Sequence, residues 1–260
     1  MPKLAANLTM MFNEVEFLDR FQAAAKAGFK AVEYLFPYDF EAELIADKLA
    51  AAGLTQALFN MPPGDWSKGD RGTAALPGRK EEFRRSVAKA VAYGKVINTP
   101  LLHMMAGIAE SADTAARAAY LDSLKFAADL TGEAGIGLVI EPINRRDMPE
   151  YFLNDFAQAA ELVAAVDRPH VKLQYDIYHR QILHGDVLVS LEALLPIVGH
   201  VQIASVPKRN EPGTGELDDF RILRRLDELG YDGLVGCEYR PAGDTVTGLS
   251  WIDSMKSAAL

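Results

Sequence analysis

The chain has 260 residues, 49% of them hydrophobic and 24% charged, a balance ordinary for a globular protein whose core needs no disulfide or metal staple. The length suits one large α/β barrel or two smaller domains. With 27 Lys and Arg against 36 Asp and Glu, the net charge of −9 argues against a nucleic-acid partner, and the single cysteine, Cys237, excludes an intrachain disulfide and fits a reducing, cytoplasmic setting.

In chain order, the opening MPKLAANLTMMFNEVEFLDR lacks a sustained apolar stretch, so no secretory signal is expected. Leu4 to Leu8 predicts a strand. Val15 to Ala27 follows as a helix with an apolar stripe that stops at Gly28. Ala31 to Leu35 predicts a second strand, Glu41 to Ala52 a helix ending at Gly53, and Leu54 to Phe59 a third strand. Met61 to Gly78 is a long loop rich in Gly, Pro and charge. Then come a helix over Arg79 to Gly94, a strand over Ile97 to Met104 and the longest helix, Ala112 to Ala134. Ile136 to Ile140 is a nearly unbroken apolar strand. Asp155 to Val166 is helical, with Asn154 or Asp155 as N-cap. Val171 to Tyr175, His200 to Ala204 and Leu234 to Glu238 complete the strands, with helices over Val187 to Leu195 and Asp219 to Leu229. No run of 18 apolar residues exists, so no membrane partner is expected.

Eight strands, each followed by a helix or a helix-sized gap, predict a parallel sheet covered by helices. With no sign of a second domain, residues 1–260 are read as a single (β/α)₈ TIM barrel, a parallel eight-stranded barrel ringed by helices. No glycine-rich nucleotide fingerprint follows any strand.

The eight apolar runs end in polar residues: Asn7, Glu33, Asn60, His103, Glu141, Asp176, Gln202 and Glu238. In a barrel of this kind the C-terminal strand ends surround one cavity, so residues spread over the whole sequence converge there. Glu141, Asp176, Gln202 and Glu238 supply an all-oxygen set with a formal charge of −3, costly to desolvate unless a cation sits among them. Hard oxygen donors suit Mg²⁺ or Mn²⁺. Glu33, Asn7 and Asn60 can line the pocket or make structural hydrogen bonds, and His103 can line it or be a satisfied core histidine. His179, three residues after Asp176, points to the same rim. His184 and His200 are expected to be structural. Cys237 alternates to the helix side of its strand.

Two loops add candidates. Pro62 to Gly72 combines Trp66 with Asp65, Lys68 and Arg71, a composition suited to a lid or binding loop. Pro207 to Glu216 carries Lys208 and Arg209, and the arginine offers bidentate geometry for a substrate carboxylate.

The stretches ANLTMMF, VEYLFPYDF, NMPPGDW, RGTAALPGR, IEPIN, QYDIYH, GHVQIA, RNEPGTGE and VGCEY, in this order from Ala6 to Tyr239, resemble the hydroxypyruvate isomerase family within the xylose isomerase-like barrels. The resemblance implies that Glu141 and Glu238 are the acid/base pair and that Glu141, Asp176, Gln202 and Glu238 hold a divalent metal. It also implies that His179 and Arg209 contact substrate. One departure is Ser205, where the family usually has Asp. The implied reaction interconverts hydroxypyruvate and tartronate semialdehyde through an enediolate. The alternatives are 2-oxotetronate isomerisation, small-ketose 3-epimerisation and a non-catalytic barrel that binds a sugar acid. The expected partner is a small hydroxy-keto acid, and a homo-oligomer is left open. A multi-zinc nuclease on the same barrel is opposed by the five histidines and the acidic charge.

Overall fold

In the computed structural model, which describes residues 2–257, eight parallel strands close into one barrel in sequence order. They are β1 (Lys3–Asn7), β2 (Ala31–Tyr34), β3 (Thr55–Asn60), β4 (Leu101–His103), β5 (Gly137–Ile140), β6 (Val171–Asp176), β7 (Val198–Ile203) and β8 (Leu234–Cys237). Pairing of β1 with both β2 and β8 closes the cylinder. The predicted (β/α)₈ architecture is therefore the observed one. Residue 1 and residues 258–260 of the expected domain lie outside the described residues.

The helices are α1 (Phe17–Lys26), α2 (Ala42–Ala52), α3 (Lys80–Val96), α4 (Thr114–Glu133), α5 (Phe156–Val166), α6 (Ile177–Leu183), α7 (Val187–Leu194), α8 (Asp219–Glu228), α9 (Thr245–Gly248) and α10 (Ser250–Ser257). Their starts follow from local chemistry. Asp113 accepts from the N–H groups of Ala115 and Ala116, and Asp218 from that of Arg221, satisfying backbone donors that have no partner inside the helix. Of the two candidate caps for α5, Asp155 takes the role, accepting from Gln158 N–H at 2.8 Å.

The apolar core lies between the outer face of the barrel and the helices. Leu102, Leu138, Leu173, Val201 and Val235 pack there with Phe83, Val87, Leu124, Leu162 and Leu223. The lower barrel interior is filled by the small side chains of Ala5, Ala31 and Ala57. Two residues further along their strands, on the same face, come Asn7 and Glu33, so the interior changes from apolar to polar toward the C-terminal mouth.

Three segments differ from expectation. The gap after β8 holds α9 and α10. The strand predicted over Ile97 to Met104 shrinks to Leu101–His103, because Ile97 closes α3 and Asn98 adopts a left-handed turn conformation. The gap after β6 holds α6. Asp176 is its N-cap as well as a strand end, accepting from Tyr178 N–H at 2.7 Å.

Gly236 fixes how tightly β8 approaches the barrel interior, since a Cβ there would collide with the Glu33 carboxylate. Gly236→Ala should lower the unfolding free energy by about 1–3 kcal/mol through overpacking. A urea titration with an unchanged midpoint would contradict this packing.

Candidate active site

The eight polar strand ends are all buried at the barrel mouth. They form two levels. In the lower level, Glu33 Oε1 accepts from Asn7 Nδ2 at 2.9 Å and Gln202 Nε2 at 2.8 Å, and Glu33 Oε2 accepts from His200 Nε2 at 2.7 Å. Glu33, Asn7 and His200 thus make a hydrogen-bonded plate across the barrel. For His200 this is the structural role expected of it.

Above the plate stand Glu141, Asp176 and Glu238, joined by His179. One ligand atom from each of these four lies within 4.8 Å of all the others. Asp176 divides its oxygens: Oδ1 caps α6, and Oδ2 faces the cluster, 3.5 Å from His179 Nε2 and 3.4 Å from Arg209 Nη2. Arg209 also donates a short hydrogen bond to Glu238 Oε2. Its guanidinium lies 4.8 Å above the Tyr178 ring and 3.5 Å from Asp147 Oδ2. Arg209 sits at a positive φ, a conformation held by its N–H on Ser205 O and its carbonyl on Arg240 N–H.

Electrostatics follow from burial. Desolvation, opposed by Arg209, raises Glu238 from its ordinary 4.5 to about 8. The same pair of effects raises Asp176 from 3.8 to about 6. Glu141 is pushed well above its usual range by burial and then by Glu238 and Asp176. Burial, reinforced by the nearby His200, takes His103 down to about 3, so it is neutral. Burial and Arg209 likewise keep His179 neutral.

Three buried carboxylates against one guanidinium leave two formal negative charges, which a divalent cation would balance. Among the described residues Glu141 Oε1 is buried without a hydrogen-bond partner, which leaves it free to ligate a cation or meet a substrate. Oxygen donors of this kind suit a hard cation. Gln202 Oε1 accepts from Gln174 Nε2 at 2.7 Å and keeps a second lone pair. The cluster could therefore hold a divalent metal.

The remaining expected residues fall as follows. His103 Nε2 lies 3.7 Å from Glu141 Oε2 and has no hydrogen-bond partner, so it borders the cluster. Asn60 pairs in register with His103, but among the described residues its hydrogen bonds are backbone ones and none links its side chain to the carboxylates. Trp66 and Arg71 form a unit of their own on the long loop. The guanidinium stacks 3.8 Å over the indole, which is 38% exposed, and donates to Trp66 O and Asp70 O. Among the described residues Arg71 has no carboxylate partner. The loop is fastened by the Asp70–Arg79 bidentate pair at 2.6 and 2.8 Å and by the bridge of Gly72 to Ala106. His184 pairs with Asp155 away from the cluster, as expected. Cys237 is buried in the helix-facing core, and burial raises its thiol.

Sequence reasoning missed Asn144, Asp147 and Tyr178. Asn144 contacts His179 Nδ1, and Tyr178 OH donates to Asp147 at 3.3 Å. Asn144 stands in IEPIN, three residues past Glu141, but loop residues carry no periodicity to single them out. Ser205, the departure from the family pattern, donates to Asp219 Oδ2 at 2.6 Å, and the same oxygen accepts from Gly213 N–H at 2.7 Å. The acid that pins the Arg209 loop thus comes from α8.

Residues 21–255 match the family model described as xylose isomerase-like TIM barrel. The chain belongs to this family. Within it, the chain is 50% identical to 2-oxo-tetronate isomerase from Cupriavidus necator over 254 residues, covering 97% of this chain and 98% of that protein. It is 39% identical to hydroxypyruvate isomerase from Escherichia coli K12 over 255 residues, covering 97% and 99%. A crystal structure named AP endonuclease, family 2, from Brucella melitensis superimposes with a TM-score of 0.95 at 48% identity, covering 98% of this chain and 99% of that one. The chain is a family isomerase, a conclusion resting on its named relatives. No helix among the described residues is long and apolar enough to cross a membrane.

A raised carboxyl pKa means that the folded state binds more protons than the unfolded chain between the ordinary and shifted values. Stability therefore falls as pH rises through that window. For Glu238 the window runs from 4.5 to about 8. The melting temperature of chelator-treated protein should drop across it, and Glu238→Gln should flatten the drop. Equal slopes in variant and wild type would contradict the assignment.

Proposed function

We propose that this site shifts a carbonyl between C2 and C3 of a short 2-oxo-3-hydroxy acid. Hydroxypyruvate and 2-oxo-tetronate both carry a keto group at C2 and a hydroxyl at C3. The second has one more hydroxymethyl carbon. Hydroxypyruvate, with tartronate semialdehyde as product, is the substrate suggested by the sequence resemblance. The 50% identity to a 2-oxo-tetronate isomerase favours the four-carbon acid over it. The observation that carries the reaction class is the pair Glu141 and Glu238, with carboxylate oxygens within 4.8 Å of each other and both carboxyls lifted by burial.

The chemistry needs a base to take the C3 proton, stabilisation of the enediolate and an acid to return a proton at C2. Two buried carboxyl groups, both raised by burial, can hold one proton between them, so one accepts while the other donates. We assign that pair to Glu141 and Glu238. Proton transfer by a positioned group contributes ~10²–10⁴-fold, short of the ~10⁶-fold or more typical of enzymes. A divalent cation, Mg²⁺ or Mn²⁺, held by Glu141, Asp176, Gln202 and Glu238 would supply the remainder by stabilising negative charge on the substrate oxygens.

The chain's other residues bind and orient. Arg209 keeps a buried, unpartnered Nε–H and is the cation assigned to the substrate carboxylate. His179 and His103 border the carboxylate cluster and are assigned to the substrate, and Asn7 supports Glu238 from below with a contact of 3.4 Å. Asn60, Trp66 and Arg71 are assigned to the pocket rim, where Arg71 supplies a second cation. The partner is this small acid, and the single cysteine is consistent with action in the cytoplasm.

Each acid should be incubated in D₂O with chelator-treated protein, with and without Mg²⁺ or Mn²⁺, and the products followed by NMR. The expected result is metal-dependent conversion of 2-oxo-tetronate in preference to hydroxypyruvate, with solvent deuterium in the product. No turnover of either acid by folded, metal-loaded protein would overturn the proposal. Glu141→Gln and Glu238→Gln should each lower kcat by ~10²–10⁴-fold. Near-normal turnover in either removes that residue's role. Gln202→Ala should weaken metal binding more than it changes the melting temperature, and an unchanged metal titration contradicts its place among the ligands.

A further inference from the structure

His179 belongs by distance to the group that could bind a cation, but its other ring nitrogen constrains what it can do there. Asn144 N–H approaches His179 Nδ1 at 3.3 Å, and Asn144 Nδ2 lies 2.7 Å from the same atom. The orientation of that amide is fixed independently. Asn144 Oδ1 accepts from the backbone N–H groups of Arg146 and Asp147, both at 2.9 Å. A reversed amide would set its NH₂ against two N–H donors. The NH₂ end must therefore face His179, with Asp147 Oδ2 as its second acceptor at 3.3 Å.

Two donors thus converge on one imidazole nitrogen, and one of them is backbone, which has no alternative orientation. A ring nitrogen in that position has to offer a lone pair. Both the Nδ1–H tautomer and the imidazolium would place a third hydrogen against the two already there. We infer that Asn144 is a positioning residue that holds His179 as the Nε2–H tautomer, so that His179 presents a proton, and not a lone pair, to the carboxylate cluster.

Two consequences follow. His179 Nε2 lies 3.5 Å from Asp176 Oδ2 and 3.9 Å from Glu141 Oε1, yet with its proton in place it is no metal ligand. Coordination falls to oxygen atoms, which leaves Gln202, not His179, as the fourth protein donor beside the three carboxylates. The Nε2–H is instead a hydrogen-bond donor for a substrate oxygen, and this consequence rests on the isomerase reading above. His103 provides the contrast. It approaches Glu141 at 3.7 Å, but its Nε2 has no hydrogen-bond partner among the described residues.

The test is long-range ¹H–¹⁵N NMR of the histidine side chains in full-length protein, chelator-treated and then loaded with Mg²⁺. The His179 signals are assigned by their loss in His179→Gln. The expected pattern is an unprotonated Nδ1 and a protonated Nε2 in both states. A protonated Nδ1, or an Nε2 that loses its proton when Mg²⁺ is added, overturns the inference. In Asn144→Asp the caps to Arg146 and Asp147 can persist while a carboxylate oxygen replaces the NH₂. The His179 pattern should then move toward Nδ1–H. A folded Asn144→Asp protein with the wild-type pattern would show that the backbone N–H of residue 144, and not the Asn144 side chain, sets the tautomer. If this variant fails to fold, the wild-type spectra still decide the tautomer and the ligation. Because the spectra need no turnover, a wrong substrate assignment would leave this test standing.

Discussion

Mutual repulsion among buried carboxylates is the constraint around which the barrel mouth is arranged. Glu141, Asp176 and Glu238 arrive from the ends of β5, β6 and β8 and are held out of water, where each ionised group is costly unless paired. Arg209 answers part of that charge, and the remainder is what the proposed divalent cation would balance. The surrounding structure serves this arrangement. Glu33, Asn7 and His200 fill the space beneath it, α6 is capped by Asp176 itself, and the Arg209 loop is tied down by Ser205 and Asp219.

The same constraint explains why one cluster can serve proton transfer. A carboxylate in water is too weak a base near neutral pH to exchange carbon-bound protons well. Burial raises both Glu141 and Glu238, and brings Glu238 to about 8, where accepting and returning a proton are both accessible. Asp176 spends one oxygen on a helix cap, which suits a fixed ligand better than a group that must gain and lose protons. The histidines beside the cluster are held neutral, so they add hydrogen-bonding capacity without further charge.

Much of this was legible in the sequence, because barrel topology turns strand ends into one surface. Once eight strands were recognised, Asn7, Glu33, Asn60, His103, Glu141, Asp176, Gln202 and Glu238 had to meet at the mouth, and they do. Their division into two levels was not legible. Glu33 and Glu141 look alike as strand-end acids, yet one is satisfied by Asn7, Gln202 and His200 while the other keeps a bare oxygen. Helix α6 escaped because its seven residues carry too few turns to show a period, and its cap doubles as the end of β6. Asn144 and the Ser205–Asp219 pair escaped for a related reason. They act through loop contacts between residues 35 and 14 positions apart, which no local pattern encodes.

The central claim is that the charge left at this mouth is matched by one divalent cation among oxygen ligands. Anomalous diffraction from crystals of the protein loaded with Mn²⁺ tests it most directly. The account predicts a manganese peak bounded by Glu141, Asp176, Gln202 and Glu238, with His179 outside the coordination sphere. A peak coordinated by His179, or manganese bound elsewhere with these carboxylates unliganded, would contradict it.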